Sequence, residues 1–160
     1  MTSDRSNILL SARALAEKIP LSLIQLAMRI GVGAVFFNAG LLKYGSWETT
    51  LLLFRDEYKV PLLDPTLAAK VAMYQELSIP ILLFLGLATR IAAIPLLGMI
   101  AVIQTFVYPS AWNEHLVWSS ILVFLIARGP GAISLDHFIE RIHDRAASTV
   151  TSAPRSSNMI

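Results

Sequence analysis

From Leu21 to Arg128 the chain is built of apolar runs about as long as a bilayer-spanning helix, separated by short polar stretches. That pattern limits the fold more than any other feature. The runs lie at roughly 21–42, 67–87, 91–108 and 115–128. The first three approach the ~20 residues that a spanning helix needs; the fourth is short unless it begins near Ala111. Composition agrees, with 55% hydrophobic and only 15% charged residues, where a soluble domain carries roughly 25% charged. A single soluble domain of 160 residues has too little interior to hide that apolar surface. The expected fold is an all-α integral membrane four-helix bundle.

The other classes fall away quickly. The formal charge of +2, with no basic run interleaved with aromatics, gives no nucleic-acid surface. The chain has no cysteine, which removes disulfides, thiolate metal sites and thiol relays. The first apolar run exceeds the roughly 7–15 residues of a signal-peptide core, so it is read as a span. Residues 1–20 are expected to be a cytoplasmic N-terminal segment, 21–145 the four-helix domain, and 146–160 a disordered cytoplasmic tail.

With four spans both termini share one side. That side carries Arg5, Arg13, Lys18, Arg90, Arg128, Arg141, Arg145 and Arg155. The other carries Lys43, Arg55, Lys59 and Lys70. The excess of cations predicts cytoplasmic termini. The outer connection at about 43–66 is too long for a turn. In it Leu51, Phe54 and Tyr58 fall near one helical face, which predicts a short amphipathic helix ended by Pro61. It either rests in the outer interface or caps the bundle. Near the C-terminus Ser134 can cap a helix with Asp136 at its positive end. Leu135, Phe138, Ile139 and Ile142 then repeat at helical spacing, so 134–145 reads as a cytoplasmic interfacial helix.

Glu76 stands inside the second run, and an ionised carboxylate there costs several kcal/mol unless it is paired or protonated. Counting about 1.5 Å per residue puts Arg29 roughly 12 Å and Glu76 roughly 18 Å from the side of the termini. A long guanidinium spans the difference of about 6 Å, so an Arg29–Glu76 pair is expected. The first run supports this. Ser22, Gln25, Arg29, Gly33, Phe36 and Gly40 form one polar and small-residue stripe, which faces a bundle interior. The pair either fixes helix register or belongs to a site that binds something polar or moves protons.

Supporting polar candidates are Gln25, Asn38, Lys43, Arg90, Gln104 and His115, with Tyr108, Asn113 and Glu114 placed more loosely. Lys43 is expected to snorkel to the interface. Trp47, Trp112 and Trp118 read as an aromatic belt, and Met28, Met73 and Met99 as apolar filler. Only His115 belongs to a span, which argues against bis-histidine haem ligation. His137 and His143 are six apart and share no helix face, so no metal site is expected. Covalent catalysis has no visible nucleophile-and-base arrangement.

The runs FFNAGLLKYG (36–45), GLATR (86–90) and ARGPGAISLD (127–136) together resemble the DoxX family of small bacterial membrane proteins. VPLLDP in the outer connection and the acidic residue ahead of Ile79-Pro80 keep the same order. The resemblance covers about 25–137. It implies four membrane helices in a bacterial inner membrane, and a link to quinone chemistry or oxidative-stress responses. It makes Arg29, Lys43, Glu76 and Arg90 the positions to test. The chain is therefore expected to be a membrane subunit or accessory of a quinone-linked redox system, with electrons supplied by a partner subunit. Whether the chain is itself catalytic stays open. A quinone is the one cofactor this reading admits. Expected partners are the lipid bilayer, a redox subunit and further copies of the chain. The alternative is a non-enzymatic membrane scaffold or a conductor of small solutes or protons.

Overall fold

The computed structural model describes the backbone of residues 17–151 and the side chains of 17–145. Every regular element among them is helical. Helix α1 spans Leu21–Gly45, and α2 (Trp47–Leu52) continues without a break as a π-helical segment, Leu53–Tyr58. Helix α3 spans Pro65–Leu85, and α4 (Thr89–Val102) runs on as a second π-helical segment, Ile103–Val107. Helix α5 spans Trp112–Arg128 and α6 Leu135–Thr151. Residues 1–16, most of the expected N-terminal segment, and 152–160 of the expected tail lie outside the described residues.

Among the described residues three helices are long and apolar enough to cross a membrane: Leu21–Gly45, Pro65–Leu85 and Thr89–Val107. The fourth expected span, α5, has 17 residues, about 25 Å of helix. It completes the bundle all the same. Helix α1 packs on α3 and α5, and α4 on the same two, so the four close a ring. At its centre Val32, Phe36, Leu83, Leu96, Ile100, Leu122 and Leu125 form a continuous buried core. Many outward side chains are large and apolar, among them Ile30, Leu42, Ile91 and Leu116. That is the distribution expected where the outer solvent is hydrocarbon.

Local chemistry sets the ends. Asp64 opens α3 by accepting from the Thr66 and Leu67 amides at 2.9 and 3.1 Å, with Pro65 at the first helical position, where a missing N–H is harmless. Gly86 closes α3 at φ +66°, and the Leu87 amide reaches back to the Leu82 carbonyl at 2.9 Å, a Schellman ending. The amphipathic outer helix is present, but it caps the bundle: Phe54, Trp47, Leu51 and Tyr58 pack on Ala68 and Ala69 of α3. It stays helical to Tyr58, and the left-handed Lys59 (φ 44°) turns the chain out before Pro61. Trp118 is not in a belt; it packs edge-on to Phe36 with 6.0 Å between ring centroids.

Helix α6 is capped by Ser134, whose Oγ accepts from the His137 amide at 3.2 Å. It runs to Thr151, six residues beyond 145 into the stretch expected to be disordered tail. Phe138, Ile139 and Ile142 remain exposed along it.

Candidate functional site

The inward stripe of α1 is as the spacing predicts: Gln25, Arg29, Val32, Gly33, Phe36 and Gly40 are all buried. Arg29 and Glu76 are also buried, at 0% and 3% exposure. They do not pair. Arg29 donates from Nη1 to the Leu83 carbonyl at 3.2 Å and from Nη2 to the Ile133 carbonyl. Glu76 takes Lys43 instead: the ammonium donates to Oε1 at 2.8 Å and stands 2.7 Å from Oε2, which lacks hydrogen-bond geometry.

The reason is side-chain direction. A helical Cα–Cβ bond tilts toward the helix N-terminus. On α1 that aims Arg29 at the end of the bundle bearing the termini, away from Glu76. It aims Lys43 inward, one turn down, to the level of Gly40. There a Cβ on Gly40 would stand 3.0 Å from the Glu76 Cβ, so the bare glycine lets α3 come close. The expectation that Lys43 snorkels outward is likewise corrected; its side chain is 20% exposed.

Arg29 therefore serves the other end. Leu83 lies in the last turn of α3, whose carbonyls attract cations; its carbonyl takes the Gly86 amide at 3.1 Å and the Arg29 guanidinium as a second donor. Around it the two most conspicuous polar motifs meet. The Asp136 carboxylate, in the first turn of its own helix as expected, accepts from the Ala88 and Thr89 amides at 2.7 and 3.1 Å and so caps α4. The Asp136 amide donates to the Gly86 carbonyl at 3.0 Å. Gln25 donates to the Gly129 carbonyl at 3.1 Å. Gly86 can carry no side chain, because a Cβ there would strike the Arg29 guanidinium and come within 2.6 Å of the Ser134 Cβ. This set ties α1, α3, α4 and the 129–136 segment together.

Glu76 and Lys43 face a cavity of about 450 Å³ between the first π-helical segment, α3 and α4. Its walls are mostly apolar, including Phe54, Ala72, Met99 and Val102. Val71, Gly98 and Val102 line it and are themselves exposed, so it opens sideways through the flank of the bundle. Both π-helical segments border it, and they touch through Tyr58 and Tyr108, whose hydroxyls are 3.1 Å apart. π-Helical insertions are rare and concentrate at functional sites. Burial and the Tyr108 hydroxyl hold the Tyr58 phenol well above its ordinary range. Prolines loosen the same region, since Pro80 has no N–H to offer the Glu76 carbonyl one turn before it.

The remaining candidates fall elsewhere. Asn38 is on the exposed face of α1. Gln104 and His115 bond to each other through Oε1 and Nδ1, and Gln104 donates to the Pro109 carbonyl at 2.8 Å. They join the second π-helical segment to α5 and do not line the cavity. Arg90 is exposed at the opposite end. Sequence reasoning passes over Gln75, which lines the cavity beside Glu76 and donates to the Pro95 carbonyl at 2.6 Å. A second polar residue in the same apolar run was its available signal.

The fold defines an integral membrane helical protein with a lipid-facing exterior and a buried ion pair, Lys43–Glu76, against a lateral cavity. The DoxX family model matches residues 24–109, and the chain belongs to that family. The matched stretch holds FFNAGLLKYG, GLATR and the whole cavity, and stops before ARGPGAISLD. An uncharacterised protein from Haemophilus influenzae is 27% identical over 128 residues, covering 74% of this chain and 84% of the relative. No solved structure gives a significant match.

Proposed function

We propose that the lateral cavity holds the ring of a membrane quinone, and that the chain is a membrane subunit or accessory of a quinone-linked redox system. The cavity itself carries this reading. Ligand pockets are typically about 300–1,000 Å³, apolar, with a few convergent polar groups. A quinone needs an apolar slot reached from the lipid, a donor for a carbonyl oxygen and a proton acceptor beside it. Lys43 offers three N–H donors, of which Glu76 occupies only part. Glu76 is a carboxylate that can take up or release a proton at the same wall. The two tyrosine hydroxyls share one hydrogen bond, which leaves one O–H free for the ligand. A bound quinone would supply the two-electron chemistry, with electrons coming from a partner subunit. The excess of Lys and Arg on the side of the termini supports cytoplasmic termini in a bacterial inner membrane, with the cavity in the outer half.

The test is titration of the purified protein with a short-tailed ubiquinone analogue, read by quenching of tryptophan fluorescence. Saturable quenching is expected in the wild type. Gly98→Leu, which fills the open side of the cavity, should abolish it, and Glu76→Gln should weaken it roughly tenfold, as for loss of one charged hydrogen bond. Equal quenching in Gly98→Leu and wild type would refute the site. Purification from native membranes should bring down an oxidoreductase subunit.

A further inference from the structure

At the end of the bundle bearing the termini lies a second cavity of about 500 Å³, lined by Gln25, Arg90, Arg128, Asp136, His137 and Glu140 with the backbone of 129–132. The groups in it are unevenly committed. Asp136 is engaged by two backbone amides, and Glu140 stands 3.9 Å from His137. Gln25 is spent on the Gly129 carbonyl. Arg29, buried just behind, has no carboxylate within ion-pair distance among the described residues. Arg90 and Arg128 form no ion pair or side-chain hydrogen bond among the described residues, and both are exposed. The Arg90 guanidinium lies against Gly129, whose φ of +79° and missing side chain leave it room; a Cβ there would sit 3.3 Å from Nε. Two free guanidinia thus converge on one polar cavity from the start of α4 and the end of α5. Ile91, 71% exposed, continues the wall onto the lipid-facing surface, and α6 brings its exposed apolar residues alongside.

We propose that this cavity binds a phosphate-bearing anion between Arg90 and Arg128, from a lipid headgroup or from solution. The planar guanidinium fork fits phosphate oxygens two at a time. Basic pockets between membrane helices at the bilayer edge are suited to anionic headgroups. Asp136 and Glu140 bring two negative charges to the lining; Arg90, Arg128 and Arg29 behind them bring three positive ones, and both Asp136 oxygens are already committed to backbone N–H groups.

The experiment measures thermal unfolding of the purified protein in micelles doped with dioleoylphosphatidylglycerol or with dioleoylphosphatidylcholine. A separate arm adds sodium phosphate against sodium chloride at equal ionic strength. A ligand that binds only the folded protein raises the midpoint by mass action. The midpoint is expected to rise with phosphatidylglycerol or phosphate over its control, and the arm that responds identifies the source. In the Arg90→Gln, Arg128→Gln double variant the apparent affinity should fall roughly 10- to 100-fold, while quenching by the ubiquinone analogue stays unchanged and reports an intact fold. If that variant does not fold, Arg90→Lys with Arg128→Lys takes its place and should lose the larger part of the rise, since lysine cannot make the bidentate contact. No rise in either arm, or a rise of equal size in the variants, overturns the proposal.

Discussion

Removing Lys43 and Glu76 singly and together tests the ion pair on which the site is built. At 2.8 Å, and with an effective dielectric of about 20, the attraction is roughly 6 kcal/mol. Desolvation of a carboxylate only 4% exposed takes back much of it. Breaking a buried pair from one side costs about 3–5 kcal/mol in soluble proteins, and the bilayer reference state lowers such figures. Lys43→Met and Glu76→Gln should therefore each destabilise, with a coupling of about 2–3 kcal/mol between them. For a chain of this size that coupling corresponds to about 5–10 °C. Intrinsic-fluorescence melting in detergent reads it, with the double variant recovering part of the loss. The same cycle on Arg29→Gln and Glu76→Gln should be additive within about 0.5 kcal/mol, because those side chains serve opposite ends. Additivity for Lys43–Glu76, or coupling for Arg29–Glu76, would refute the geometry.

Gly86→Ala should cost at least about 2 kcal/mol, from the left-handed backbone and the displaced Arg29 guanidinium. Gly98→Ala, with nothing within 4 Å of the new methyl, should be neutral or stabilise by about 0.5–1 kcal/mol; paired melting curves check both. Tyr58, its pKa raised by burial and then by Tyr108, stabilises the fold fully below about pH 10. That contribution is lost as pH rises through its higher folded value. A phenolate absorbance titration should show one late-ionising tyrosine, absent from Tyr58→Phe. For topology, a reporter active only outside the cytoplasm should be silent after Ile160 and active near Thr49; the reverse pattern would invert the orientation.

What could be read from the sequence is what depends on period and length. The runs gave the helices, and the three- and four-residue spacing of Gln25, Arg29, Phe36 and Gly40 gave the buried face of α1. The partner of Glu76 was misread because depth counted along a helix axis ignores the tilt of the Cα–Cβ bond. Twelve and eighteen ångströms from one side looked close, yet Arg29 and Glu76 lean apart. Lys43, two residues from the end of α1, looked bound for the interface for the same reason. The reach of Asp136 to amides 47 and 48 positions away depends on how α6 returns to the bundle, which no local pattern encodes. The π-helical segments share the apolar pattern of α-helix, so periodicity cannot distinguish them.

The two ends of the bundle divide the work. At the end with the termini, Arg29, Gln25, Asp136 and Gly86 lock three helices and a loop through hydrogen bonds to backbone, those of Gln25 to Gly129 and Arg29 to Leu83 buried. A lock of that kind admits little local opening, since each freed carbonyl or amide would be left without a partner. At the other end, two π-helical segments, Pro80 and Pro95 thin the regular ladder around the cavity, and Tyr58 meets Tyr108 there through both rings and hydroxyls. Elements that must open to admit a ligand are drawn from the less stable parts of a fold. A lateral cavity can breathe here without unfolding the bundle, because the lock holds α1, α3 and α4 together from below. Glu76 sits where the two regimes meet: buried by the close approach at Gly40, and neutralised by a lysine that belongs to the looser end.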